Sequence, residues 1–199
     1  MTEPSGTVFR RIVLVVALLN LSYFGIEFTV AHLIGSVSLF ADSVDFLEDT
    51  SINLLIFVAV GWTARRRSVV GSVLALVILV PSVATIWTAV IKILDPVAPD
   101  VTPLALTALG ALAINLTCAV LLVRHRHHAG SLATAAWLSA RNDALANLAI
   151  ILVAFLTAWW HTGWLDILLG VAIGLLTADA ARAVWKASRA ERALLQPEP

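Results

Sequence analysis

The stretch Ser38-Leu-Phe-Ala-Asp-Ser-Val-Asp-Phe-Leu-Glu-Asp-Thr-Ser-Ile-Asn-Leu-Leu-Ile-Phe-Val-Ala-Val-Gly-Trp62 decides the fold class. It is long enough to cross a bilayer, which takes about 20 predominantly apolar residues. Yet Asp45 and Asp49 stand one helical turn apart near its middle. A carboxylate at that depth costs about 2.5 to 3.5 kcal/mol on insertion scales. Acids retained there face a bundle interior or a wet cavity and mark an ion path. The stretch therefore reads as a membrane helix whose charged face looks inward, toward partner helices.

Composition extends that reading along the chain. Hydrophobic residues make up 60% and charged residues 13%, against about 25% charged in soluble proteins. The formal net charge of zero hides an asymmetry, because Lys and Arg gather in short polar segments while the apolar runs hold acids. The one cysteine, Cys118, lies inside an apolar run, so no intrachain disulfide forms and no redox compartment follows. Arg10 and Arg11 before an apolar run imitate a secretory signal, but the run continues into Glu27 and His32 without a clear cleavage site. The charged tail after Trp185 is too short to build a soluble core.

Working outward from the acidic stretch, six apolar runs have spanning length: Arg11 to Leu33, Ser38 to Trp62, Val69 to Leu94, Val101 to Val123, Leu132 to Trp160 and Trp164 to Trp185. The expected architecture is an all-α integral membrane protein, a six-transmembrane-helix bundle. Arg65, Arg66 and Arg67 follow the second run, and Arg124, His125, Arg126, His127 and His128 follow the fourth. With Arg10, Arg11, Arg182, Lys186, Arg189 and Arg192 they place both termini in the cytoplasm, since the opposite connections, around Gly35, 95–100 and 161–163, lack Lys and Arg. Residues 1–10 then form a cytoplasmic N-terminal segment, 11–186 the membrane domain and 187–199 a short cytoplasmic tail. Trp159, Trp160 and Trp164 fit the outer interface, Trp62 and Trp185 the inner one. Pro81 predicts a kink in the third run. Asn20-Leu-Ser and Asn115-Leu-Thr match the glycosylation pattern by chance, because both fall inside runs.

At about 100° per residue, Asp42, Asp45 and Asp49 fall within about 60° of helix surface, with Glu48 to the other side of Asp45. On the fifth run Ser139, Asp143 and Asn147 recur at one-turn intervals, with Asn142 beside them. Both stripes lie about 15 Å from an end at 1.5 Å per residue, so their depths match near the midplane. Facing carboxylates in a low-dielectric site hold either a cation or protons, and competition between the two supplies an exchange mechanism. Asp45, Asp49 and Asp143 are the expected metal-binding residues, with Ser139, Asn142 and Asn147 as weaker candidates. Asp42, Glu48 and Glu27 are assigned to access or gating. Structural readings compete at each position. The acids could pair with Arg141 or neighbouring amides simply to hold the bundle. Arg141 itself points about 160° from Asp143 and is expected to reach Glu48, Asp166 or Asp179 instead. Tyr23, Glu27 and Asn115 suit interhelical hydrogen bonds, and His125, His127 and His128 a positive-inside loop.

These residues together resemble the cation diffusion facilitator family, six-span proton-coupled exporters of zinc and related divalent ions. Gly35-Ser-Val-Ser-Leu-Phe-Ala-Asp-Ser-Val-Asp-Phe-Leu-Glu-Asp49 is similar to the family's first-to-second-span signature, ending in the pair Asp45 and Asp49. Asp143-Ala-Leu-Ala-Asn147 and Gly163-Trp-Leu-Asp-Ile-Leu-Leu-Gly170 resemble its fifth and sixth spans. The family's fifth-span His-xxx-Asp has Ser139 at the histidine position, as in short bacterial relatives. A site of carboxylate, hydroxyl and amide oxygens leans toward harder ions such as manganese. No counterpart of the family's C-terminal metal-sensing domain is expected in the short tail, 187–199.

The resemblance implies efflux of a divalent cation, zinc, manganese or similar, with protons as counter-ion, by a multi-pass protein of the bacterial cytoplasmic membrane. No resident cofactor and no nucleic acid are expected. The lipid bilayer is a partner, and a homodimer remains an open alternative. Two other functions compete. One is an inactive transporter relative serving as assembly partner or regulator. The other is an intramembrane aspartyl protease with Asp45 or Asp49 and Asp143 as its dyad, although the Gly-x-Gly-Asp element of that class is missing around Asp143.

Overall fold

The computed structural model describes residues 4–59, 63–123 and 126–193; the side chains of 126–140 and of some residues near other helix ends lie outside that description. Within it the chain forms six helices: α1 (Pro4–Ile34), α2 (Val37–Ala59), α3 (Ala64–Leu94), α4 (Val101–Val123), α5 (Arg126–Trp160) and α6 (Trp164–Ala193). Each expected span falls on one of them. Four contain stretches long and apolar enough to cross a membrane: Arg10–Ile34, Val69–Leu94, Val101–Val123 and Arg141–Trp160. α2 is set apart by its four carboxylates, and α6 carries Asp166 and Asp179. Trp62, expected at the inner interface, lies outside the described residues, as do the side chains of His127 and His128 and the whole of His125.

The distribution of side chains is inverted relative to a water-soluble bundle. Leu18, Leu33, Val80, Trp87, Leu106, Phe155 and Leu168 are exposed, while Asn20, Glu27, Asp42, Asp49, Asn53, Asn115, Asn147 and Asp166 are buried. An apolar exterior around a polar interior is what a hydrocarbon solvent selects. Trp159 and Trp160, at the end of α5, and Trp164, at the start of α6, are also exposed, as interfacial rings are.

α2 is the hub. It packs against α1, α3, α5 and α6, while α4 pairs with α5 and α3 with α6. Leu39 and Ala41 of α2 meet Ala31, Leu104, Ala108, Ile150, Ala154 and Ile173 in one buried cluster drawn from α1, α4, α5 and α6. Phe28 against Phe40 and Tyr23 against Phe46, both with ring centroids 5.2 Å apart, fasten α1 to α2. At the far end of the same pair Arg10 lies over the Phe57 ring, 5.0 Å from its centroid.

The turn between α1 and α2 is two residues long. Gly35 takes φ +63°, which only glycine adopts freely, and Ser36 N–H closes on the Ala31 carbonyl at 3.0 Å as a helix C-cap. Ser36 then caps α2, its Oγ accepting Leu39 N–H at 3.1 Å. Asp166 of α6 completes the cap. Its carboxylate accepts the N–H groups of Val37 and Ser38, at 2.8 and 3.1 Å, and the hydroxyls of Ser36 and Ser38. Lys92 of α3 reaches the same carboxylate at 2.9 Å and also donates to the Gly35 carbonyl. Gly170 explains how α6 comes so near: a Cβ there would sit 2.6 Å from the Val37 carbonyl carbon.

Two sequence readings change here. Asp166, one of three acids offered as a partner for Arg141, is taken by Lys92, because it stands at the end of the bundle where α2 begins. Lys92 itself breaks the rule that cations avoid this end, and the buried pair neutralises it.

The orientation is checked by labelling. With Cys118 replaced, a single cysteine at exposed Thr63 should react with an impermeant thiol reagent from the cytoplasmic side only, and one at Ala98 from the opposite side only. Reaction of both from one side would overturn the assignment of both termini to the cytoplasm.

Candidate metal-transport site

Three helices line an open cavity of about 230 Å³, with Asp45, Glu48 and Asp49 of α2, Asn142, Asp143 and Ala146 of α5, and Ile173, Leu176 and Thr177 of α6 on its wall. The sequence-derived stripes on α2 and α5 thus meet, and α6 supplies a third wall. Helical register explains the selection. Asn142, Asp143 and Ala146 share one face of α5, whereas Asn147 lies about 100° around from Ala146.

Two of the acids have partners on other helices. Asn20 of α1 donates to Asp49 Oδ2 at 3.3 Å, and Cys118 of α4 lies 3.7 Å from Asn20 Oδ1. Asn53 caps the Asp49 carbonyl, at 2.8 Å. The Thr177 hydroxyl faces Asp45 Oδ1 and the Ile173 carbonyl. Asp49 is 8% exposed and opens onto the cavity. Among the described residues, no three His, Cys, Asp or Glu side chains stand close enough together to hold one ion as placed. The carboxylates ring the space without converging on a point.

Other candidates go elsewhere. Asn147 is fully buried away from the cavity wall, its amide donating to Asp42 Oδ2 at 2.5 Å and its oxygen accepting from Asn115 at 3.3 Å. It positions side chains and does not line the site. Asp42 and Glu27 are likewise behind the wall, and Glu48 is on it. Tyr23 donates to the Thr107 carbonyl at 2.6 Å, an interhelical bond like that of Asn115. Arg141 donates to Asn142 Oδ1 at 3.3 Å. Ser139 is on α5 one turn before Asp143, with its side chain outside the description.

Thr177 goes unnoticed in the sequence, and Asn20 reads there only as part of a chance glycosylation match. A single hydroxyl or amide in an apolar run is common in helix packing, and neither belongs to a visible stripe. The acids they hold were the only signal available.

A family model for the cation efflux transmembrane domain matches residues 13–191. The chain belongs to the cation efflux family, the cation diffusion facilitators. This is a multi-pass integral membrane protein of a family of metal-cation transporters, not of enzymes. No curated protein matches the chain.

Proposed function

We propose that this cation efflux protein exports a divalent metal ion, zinc or a related transition metal such as manganese, across a bacterial cytoplasmic membrane in exchange for protons. The observation that supports this best is the cavity that Asp45, Asp49 and Asp143 line together between three helices. Ionised together, these carboxylates repel; a dication between them converts that repulsion into attraction. Rotation about their side-chain torsions brings oxygens from separate helices onto one ion, with Asn142 offering a neutral oxygen. Asn20 and Thr177 restrain two of the three acids, so the ion meets a partly ordered cage. Glu48 adds charge on the wall and draws the cation in. Protons arriving from the other side compete for the same carboxylates and release the metal.

Metal identity turns on Ser139, which stands where the family pattern has histidine. Helical register places it about 40° from Asp143, toward the face that Asn142 and Ala146 share. Ser139→His therefore adds an imidazole to the cage, and nitrogen ligands favour zinc over harder ions. The zinc-to-manganese uptake ratio in reconstituted vesicles should rise about tenfold or more in that variant, the equivalent of about 1.4 kcal/mol. Ser139→Ala should change it less than threefold. An unchanged ratio in the His variant would remove Ser139 from the ion's surroundings. The same vesicles address a second reading, a non-transporting relative, which the replaced histidine favours: native protein would then move neither metal.

A further inference from the structure

Between α3 and α6, separate from the metal cavity, lies a hollow of about 340 Å³ lined by Ala75, Leu76, Leu79, Ala178, Arg182 and Trp185. The two helices run antiparallel. Lys92 meets Asp166 at one end, and a Cβ at Gly174 would lie 3.1 Å from Thr85 Cγ2 farther along. Leu76 is about 27 Å from Leu94 along α3 at 1.5 Å per residue, nearly the thickness of a bilayer's hydrocarbon, about 30 Å. The hollow therefore opens where hydrocarbon gives way to headgroups, at the end opposite the Lys92–Asp166 pair. Leu76, Leu79 and neighbouring Val80 are exposed, so it faces lipid.

On the wall of the hollow Arg182 alone is charged. It is exposed, and Lys186 and Arg189, also exposed, fall with it within about 60° of the surface of α6. Arg189 lies over the Trp185 ring, 5.4 Å from its centroid. Among the described residues no carboxylate pairs with these cations. Asp179, the acid closest to Arg182 in the chain, is about 60° around the helix on the flank opposite Ala178 and Trp185, and it is not on the wall. An apolar hollow ending in cations without counter-charges suits a molecule with a hydrocarbon tail and an anionic head.

We propose that this hollow binds an anionic phospholipid, from the leaflet into which these helix ends open, the cytoplasmic one in the orientation given above. One acyl chain lies against Leu76, Leu79 and Ala178; the phosphate meets Arg182, with Lys186 and Arg189 beyond it toward water. Trp185 borders both parts, as interfacial rings do. The residue before Ala178 is Thr177, whose hydroxyl faces Asp45, so the lipid braces the helix that forms the third wall of the metal cavity. The inference goes beyond the transport reading and does not depend on it.

Brominated phosphatidylglycerol, which quenches tryptophan on contact, is titrated into the full chain in neutral detergent, with brominated phosphatidylcholine in parallel. The signal of Trp185 is the difference between each protein and its Trp185→Phe counterpart. Native protein should bind phosphatidylglycerol at least about fivefold more tightly than phosphatidylcholine. Arg182→Gln should weaken phosphatidylglycerol about fivefold, the equivalent of about 1 kcal/mol for one basic side chain, and leave phosphatidylcholine within about twofold. Arg10→Gln removes a like charge from α1, where Arg10 lies over Phe57, and should change either lipid by less than about twofold. Ala178→Phe fills the hollow and keeps every charge, so both lipids should weaken at Trp185 by about fivefold or more. Leu79→Phe, at an exposed position, takes its place if Ala178→Phe does not fold. Equal affinity of native protein for the two lipids would overturn the proposal. So would equal weakening by Arg182→Gln and Arg10→Gln, the mark of diffuse attraction to basic helix ends. Unchanged affinity in the filled variant would do the same, since the lipid would then sit outside the hollow.

Discussion

Asp49→Asn and Asp143→Asn each lower metal uptake in vesicles by about 100-fold or more, to near the level of empty vesicles. Each exchange keeps shape and removes one charge from the cavity wall. Opposite unit charges 4 Å apart attract by about 4 kcal/mol at an effective dielectric of 20, and a dication doubles that. If solvation recovers most of it, about 2.7 kcal/mol still remains, which is 100-fold. Folding should survive, because neither residue anchors the bundle as Asp166 does. Asp49 receives the Asn20 amide, and an asparagine there can accept it equally. Monodisperse elution in detergent with native helix content checks that point before transport is scored. Uptake at the native rate in both variants would rule out the cavity as the path.

The acids were legible because charge in an apolar run is conspicuous: Asp45, Asp49 and Asp143 announce themselves by the cost of their burial. That acids of both stripes line one cavity was legible too, since depth counts from helix ends put both stripes near the midplane. Direction around the helix was less so. Asp143 and Asn147 are only about 40° apart, and the sequence treats them as one stripe. The cavity happens to lie on the side of Asn142 and Ala146, leaving Asn147 turned to Asp42 and Asn115. Only the relative rotation of α2 and α5 settles which flank faces the ion, and residue spacing within one helix does not contain it. Glu27 is a similar case. That it is a polar residue in an apolar run was readable, but its complete burial depends on how α1 crosses α2. The knot of Lys92 and Asp166 was hidden for another reason. Lys92 and Asp166 sit in different spans far apart in the chain, and Lys92 stands at the end of its run, where a long side chain ordinarily reaches for headgroups.

Asp166→Asn should lower the midpoint of thermal unfolding in detergent by about 10 °C. The carboxylate is fully buried and joins three parts of the chain: the Gly35–Ser36 turn with the first turn of α2, the last turn of α3 through Lys92, and its own helix α6. An amide can accept from one or two of the donors but leaves Lys92, only 11% exposed, without its counter-charge. Removing one partner of a buried pair costs about 3 to 5 kcal/mol, and in a chain of this length each kcal/mol is about 2 to 4 °C. Asp179→Asn, at an exposed position of α6, should shift the midpoint by less than about 2 °C. The double variant Lys92→Met with Asp166→Asn separates the two roles of the carboxylate. Without the stranded ammonium, part of the loss returns, while the share due to capping α2 persists because Val37 and Ser38 still lack a charged acceptor. Equal midpoints for Asp166→Asn and Asp179→Asn would mean that the knot carries no stability. Equal midpoints for the single and double variants would mean that capping alone does. In either intermediate case α2 remains the element at risk, and because α2 carries Asp45 and Asp49, loss of its cap should also appear as weaker metal binding without any change in the cavity's own residues.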